Sequence, residues 1–146
     1  MIRSALVLAT GILLAAATPS FAQTVGSCPR GGSGATSQPV WVLFDLGSSV
    51  VRQNDKPKIA QAVATAQNRQ AVAVCLIGQT DKLGDKASNE RLARARAQAV
   101  AAKMIKGGYP AAKIVIATNP EAFGDLTVPA GLDAQEKDRR VTIVFR

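Results

Sequence analysis

Apolar residues gather in four short runs that polar, Gly-rich or Pro-rich segments separate. Each run is rich in β-branched or other apolar residues and has the length of a buried β-strand. The run AVAVCLI is too continuous for a sheet that faces water on both sides. The pattern therefore predicts four strands. They cover residues 40–44, 71–77, 114–117 and 141–145.

Two segments between these runs have the apolar spacing of amphipathic helices. The first runs from about residue 56 to 68, with Asn54 or Asp55 as its N-cap. The second runs from about residue 89 to 105 and ends at Gly107. The order β-α-β-α-β-(loop)-β predicts an α+β fold, a two-layer sandwich in which both helices pack on one face of a small mixed sheet.

The residues before the first predicted strand form two segments of different composition. Residues 4–17 are almost wholly apolar, and residues 20–22 put small side chains at the two positions that a signal peptidase reads. We predict a signal peptide at 1–22 rather than a membrane helix, because the apolar run is shorter than the roughly 20 residues that span a bilayer. Residues 23–39, rich in Gly, Ser, Thr and Pro, are predicted to be a flexible leader, which leaves one domain at 40–146.

The two cysteines, Cys28 and Cys75, allow two kinds of chemistry. In an exported protein they favour a disulfide, which would stabilise the fold by about 4 kcal/mol in the chain-entropy model. However, the tetrapeptide VGSC that ends at Cys28 resembles a lipobox, although Gln23 and Thr24 separate it from the apolar run. The sequence thus leaves open a disulfide, or a lipidated or free Cys28 beside a buried Cys75.

Charge and composition restrict the possible functions. The chain has 18 Lys and Arg against 10 Asp and Glu, a formal charge of +8, which predicts an anionic partner. Export removes nucleic acid from the candidates and leaves a membrane surface or an acidic polymer. The absence of histidine excludes Ser-His-Asp and Cys-His catalysis and the commonest zinc ligand. We therefore expect no enzyme, no metal site and no cofactor.

Three arginines lie on the second predicted helix, and helical geometry separates them. With Leu92 as the centre of the buried face and about 100° per residue, Arg96 lies at roughly 40°, on the border of that face. Arg91 and Arg94 point to the far side. A guanidinium at such a border needs an acceptor. Asp81, the first acid after the second strand, could be that acceptor, or it could merely accept from N–H groups of its own loop.

Three motifs follow one another along the chain. They are Gly78-Gln79-Thr80-Asp81-Lys82-Leu83-Gly84, Asn89-x-x-Leu92-Ala93-x-x-Arg96-Ala97-x-x-Val100 and Asp138-Arg139-Arg140-Val141. In order and spacing they resemble the patterns G-H-T-D-x-x-G, N-x-x-L-S-x-x-R-A-x-x-V and N-R-R-V of the C-terminal domain of OmpA and of the peptidoglycan-associated lipoprotein. The segment VLFD at 42–45 also resembles the first strand of that family. The resemblance covers about residues 40–145.

The resemblance implies a protein that binds the stem peptide of peptidoglycan without catalysis and anchors or stabilises the outer envelope. The diaminopimelate of the stem would lie between Asp81, which accepts from its ammonium, and Arg96, which binds a carboxylate. Thr80, Asn89 and Arg140 would be further ligand-binding residues. Arginine suits this role because its planar fork donates two parallel hydrogen bonds to a carboxylate, which lysine cannot do. The implied location is the periplasm, or the periplasmic face of the outer membrane of a Gram-negative bacterium.

The chain also departs from the family pattern. Gln79 replaces a histidine, Ala93 a serine and Asp138 an asparagine. Asp138 is either a polar wall of the pocket or a turn acid that pairs with a neighbouring arginine. The loop 118–137, which in the family forms one wall of the pocket, matches only vaguely. An alternative function is therefore an envelope protein-interaction module that kept the fold and uses this loop and the basic surface to contact another envelope protein.

Overall fold

A computed structural model of the chain describes residues 24–25, 28, 38–80, 85–118 and 136–146, so the predicted signal peptide lies outside the described residues. The order of strands and helices predicted from the apolar pattern is confirmed, with one strand added at the start. The elements are β1 (Thr24–Val25), β2 (Val40–Leu43), α1 (Lys56–Asn68), β3 (Val74–Gly78), α2 (Lys86–Lys106), β4 (Ile114–Thr118) and β5 (Arg140–Phe145).

The strands form one mixed sheet in the order β1-β4-β3-β5-β2. β4 pairs in parallel with β1 and β3, and β5 pairs antiparallel with β3 and β2. The two parallel connections run through α1 and α2, as the sheet topology requires. The predicted α+β class and mixed sheet are confirmed.

Both helices pack on the same face of the sheet. Alternate strand residues point to that face, which is why Val74 and Leu76 of β3 are in the core while Cys75 between them is not. The core is almost wholly aliphatic. Its strand residues are Val42, Val74, Leu76, Ile114, Ile116, Val141, Ile143 and Phe145, and its helix residues are Ile59, Ala62, Val63, Ala66, Ala97, Val100, Ala101 and Met104.

Part of the predicted flexible leader belongs to the sheet. Thr24 and Val25 pair with Val115 and Ile116 at the free edge of β4, and Cys28 forms a disulfide with Cys75. The apolar pattern did not predict this strand, since two residues are too few to show a periodicity.

α1 begins at residue 56 as predicted, whereas α2 and β3 begin at other residues than predicted. α2 begins at Lys86, not near residue 89, because Asp85 caps it by accepting a hydrogen bond from the Ser88 N–H at 2.9 Å. This bond lowers the pKa of Asp85. Asp55 precedes α1 but does not cap it with its side chain.

The buried carboxylate of Asp55 instead joins the end of β2 to the beginning of α1. It accepts from the Leu43 N–H at 3.3 Å and forms an ion pair with Lys58 at 2.6 Å. The strand predicted at 71–77 is β3, which begins at residue 74 because Ala71 closes the turn after α1 by donating its N–H to the Ala66 carbonyl.

Candidate functional site

The loops that carry the predicted site lie at one end of the sheet. β2, β3 and β4 all finish at this end, and β5 and both helices begin there. We call it the site end. Its described loops cover residues 44–55, 79–80 and 136–139.

Arg96 is the central side chain of the site end. It is 1% exposed, not on the border of the buried face as the helical geometry predicted. Its Nε donates to the Ser48 carbonyl at 2.8 Å, its Nη1 to the Gln79 carbonyl at 3.0 Å and its Nη2 to the Asp45 carbonyl at 3.1 Å. Its Cζ also lies 5.4 Å from the ring centroid of Phe44. One guanidinium thus connects α2 to the loops that follow β2 and β3.

Arg96 reaches these carbonyls because α2 crosses β3 at very short range. A Cβ atom added to Gly78 would press against the carbonyl oxygen of Ala93 and lie 2.8 Å from its carbonyl carbon. Ala93 is fully buried and lies one helical turn before Arg96. The loop motif therefore begins with a glycine, Gly78, for a structural reason: only glycine lets the helix backbone approach so closely.

We expect Gly78→Ala to lower the free energy of unfolding by about 3 kcal/mol, because strand or helix backbone must move to relieve the contact. Urea unfolding followed by circular dichroism measures this loss. Gly47→Ala is the matched control: Gly47 has φ +65° but nothing within 4 Å of an added Cβ, so only about 1 kcal/mol of backbone strain is expected. Equal losses in the two variants would show that the β3–α2 crossing is not tight.

Arg140 lies on the opposite face of the sheet from Arg96. It is 5% exposed, and its Cζ lies 4.2 Å from the ring centroid of Trp41. Burial lowers the pKa of Arg140, and the negative charge of Asp138 acts in the opposite direction. Among the described residues, its Nη1 has no hydrogen-bond partner.

Gln79 connects the two buried arginines through the sheet. Its backbone carbonyl accepts from Arg96, and its side-chain Oε1 accepts from the Arg140 Nε at 2.5 Å. An amide oxygen accepts at any pH, whereas an imidazole loses its acceptor when it is protonated. Gln79, one of the residues that depart from the family pattern, therefore fixes the positions of both cations.

The other predicted site residues divide between described and undescribed parts of the chain. Thr80 is buried in the loop two residues after β3, and its hydroxyl has no hydrogen-bond partner among the described residues. Asn89 is half-buried in the first turns of α2. Asp81 and nearly all of the 118–137 loop lie outside the described residues. The structure thus brings Thr80, Asn89 and Arg96 to the site end, with Arg140 across the sheet.

The loop after β2 contributes features that no sequence motif indicated. Leu46 and Val50 are 72% and 73% exposed, and they belong to the same loop as the Asp45 and Ser48 carbonyls that accept from Arg96. Arg52 holds this loop from the side, through ion pairs with Asp45 at 2.8 Å and Glu136 at 2.7 Å. The hydrogen bond to Glu136 raises the pKa of Arg52. An anchored loop with exposed apolar side chains therefore lies directly over the Arg96 charge.

Neither a metal-ligand cluster nor a helix that could span a membrane occurs in the described part of the chain. In it, no three His, Cys, Asp or Glu side chains come together as metal ligands would. Its helices are all too short or too polar to span a bilayer.

Comparisons with known proteins show the family of the chain and agree with its fold. Residues 43–141 match the model of the OmpA family, and the chain belongs to that family. It is 33% identical over 75 residues to outer membrane protein A of Shimwellia blattae, a match that covers 50% of this chain and 31% of that protein. It is also 28% identical over 117 residues to the photosystem I P700 chlorophyll a apoprotein A2 of Gloeobacter violaceus, covering 74% of this chain and 13% of that protein.

A solved structure shares the fold at lower sequence identity. The peptidoglycan-associated lipoprotein of Burkholderia pseudomallei superimposes with a TM-score of 0.61 at 23% identity, over 73% of this chain and 89% of that chain. The chain thus spans less than a third of each of the two curated relatives, but it corresponds to nearly the whole of the solved lipoprotein domain.

Proposed function

We propose that this protein is an exported, non-catalytic envelope protein that binds the diaminopimelate-containing stem peptide of peptidoglycan from the periplasmic side. The observation that carries the proposal is Arg96, a cation fixed within the family-matching span at the point where β3 leads through Thr80 into Asp81. The family of the chain and the name of the solved lipoprotein with the same fold support a wall-associated role.

The proposed ligand carries both an ammonium and a carboxylate, so its site needs an anion and a cation at a fixed separation. Asp81 is the proposed acceptor for the ammonium, and Arg96 is the proposed partner of the carboxylate. Three backbone carbonyls hold Arg96 in place, so little side-chain entropy remains to be lost on binding. Because Arg96 is shielded from water, its attraction for a nearby carboxylate is screened less than that of a surface cation.

The exposed side chains of Leu46 and Val50 are the proposed contacts for the apolar parts of the stem, its methyl groups and methylene chain. Each charge-assisted hydrogen bond contributes on the order of 1.5 to 3 kcal/mol, so a single stem binds weakly. A sacculus offers many stems, and the resulting effective concentration compensates for that weakness.

Co-sedimentation of the mature protein with purified sacculi tests the proposal. Asp81→Asn keeps the shape of the side chain and removes its charge, so the affinity should fall at least tenfold, the equivalent of one charge-assisted bond. Glu90→Gln removes one charge from an exposed position on α2 and serves as the matched control, with unchanged binding.

The results of this test distinguish a wrong assignment of the site from a wrong function. If Asp81→Asn folds and still sediments like the wild type, the assignment of the site is wrong. If the wild-type protein itself does not sediment, wall binding is wrong, and the protein-interaction module becomes the better description.

A further inference from the structure

The end of the molecule opposite the site end carries a cluster of exposed cations. α1 and α2 finish there, and the Gln67 side chain reaches the Gly108 carbonyl at 3.5 Å, which places the two helix ends side by side. β5 finishes there as well, and its continuation bonds to residues 72 and 73. We call this end the basic pole. Its exposed cations are Arg69, Lys103, Lys106, Lys113 and Arg146.

The basic pole contains no acidic side chain among the described residues. Every described Asp and Glu lies at the site end, in its loops or in the first turns of α2: they are Asp45, Asp55, Asp85, Glu90, Glu136 and Asp138.

These acids are too distant to neutralise the pole. From Glu90 to Lys106, α2 rises about 24 Å at 1.5 Å per residue. That distance is about three times the Debye length of about 8 Å at physiological salt. Counting the described residues, the basic pole therefore carries an excess of positive charge, whereas cations and anions are mixed at the site end.

An apolar side chain lies within this positive surface. Val72 is 79% exposed, and its backbone N–H donates to the Arg146 carbonyl at 2.7 Å, so it lies between the end of α1 and the end of β5. Gln70, two residues before it, adopts a left-handed φ of 52°, which turns the chain sharply after α1. Exposed cations around a protruding apolar side chain are the combination that adsorbs to a lipid interface.

We propose that the basic pole docks on the anionic phospholipid headgroups of a membrane surface. Charge complementarity supplies the attraction, and Val72 inserts among the headgroups. β1 and β2 both begin at this pole, so their first residues lie at the membrane-facing end. The same orientation directs the site end away from the bilayer. This inference does not depend on wall binding.

Binding of the mature protein to vesicles that contain 30% phosphatidylglycerol in phosphatidylcholine tests the inference, with pure phosphatidylcholine vesicles as the uncharged comparison. The pole variant is Lys103→Gln/Lys106→Gln/Lys113→Gln. Lysine and glutamine have similar helix propensities, so folding should be preserved. Each cation near an anionic surface raises the partition coefficient about fivefold, so the loss of three cations should lower it about 100-fold.

The charge-matched control is Lys56→Gln/Lys86→Gln/Arg91→Gln, which removes three exposed cations from the site end. We expect less than a twofold change in vesicle binding for this control. Val72→Thr keeps the side-chain shape and should weaken binding severalfold even at high salt, where the lysine contribution disappears. Loss of a similar size in the two triple variants, or no preference for the anionic vesicles, would overturn the inference.

An acidic protein partner is the competing explanation for the pole. Binding to polyglutamate without binding to anionic vesicles would support that explanation and reject docking on lipid. Sacculus binding of the pole variant should remain at the wild-type level, so failure of the membrane inference and failure of the wall-binding proposal give different results.

Discussion

Arg96→Ala is expected to lower the free energy of unfolding by about 5 kcal/mol, which is most of the stability of a small domain. The substitution removes three charge-assisted hydrogen bonds, each contributing roughly 1.5 kcal/mol or more. It also leaves a cavity beside Phe44, and the carbonyls of Asp45, Ser48 and Gln79 lose their donor. The loops after β2 and β3 should therefore separate from α2.

Urea unfolding with far-ultraviolet circular dichroism measures this effect. Arg91→Ala is the control on the same helix: Arg91 is exposed and donates to Ser88 within its own helix, so its loss should cost less than about 0.5 kcal/mol. Arg96→Lys keeps the charge but not the fork and should fall between the two. A loss below about 1 kcal/mol for Arg96→Ala would contradict the structural role of the guanidinium.

This structural role explains why the binding test relies on Asp81. Any substitution of Arg96 changes the loops that carry Leu46 and Val50, so a loss of sacculus binding could come from the fold. Asp81→Asn is free of that ambiguity, because the change keeps the size of the side chain and removes only its charge.

The apolar pattern predicted the elements well where packing follows periodicity. The bounds of α1 and the order of the elements along the chain follow from runs of buried residues at regular spacing. β1 escaped prediction because an edge strand of two residues has no pattern of its own and is specified by its partner β4. Of the two predicted caps, Asn54 and Asp55, Asp55 occupies the N-cap position, but its carboxylate binds Leu43 and Lys58 and does not cap the helix.

The burial of Arg96 shows a second limit of sequence reasoning. Helical geometry gives the direction of a side chain but not the positions of the loops around it. Whether a guanidinium at 40° from the core remains in water depends on whether carbonyls surround it, and here they come from Asp45, Ser48 and Gln79. Motif spacing identified Arg96 as a site residue, but only the tertiary structure shows which carbonyls surround it.

The disulfide between Cys28 and Cys75 accounts for the second large expected effect. The cysteines are 47 positions apart, and Cys75 is fully buried on the central strand β3, on the face opposite the aliphatic core. β1 has only two paired residues, too few to hold the leader on the sheet without a covalent connection. A disulfide and a lipid thioether both require the Cys28 sulfur, so they exclude each other.

Reduction of the disulfide is expected to lower the free energy of unfolding by about 4 kcal/mol, the closure entropy of a loop of this length in the chain-entropy model. Urea unfolding with and without dithiothreitol measures the loss, and Cys28→Ser/Cys75→Ala should have the lower stability in both conditions.

Intact mass of the protein isolated from the envelope distinguishes a disulfide from lipidation at Cys28: an acyl group on Cys28 would rule out the disulfide. Without an acyl group on Cys28, the protein would bind a membrane through the proposed docking of the basic pole, which does not require the disulfide. Vesicle binding should therefore persist in the double variant while its stability falls.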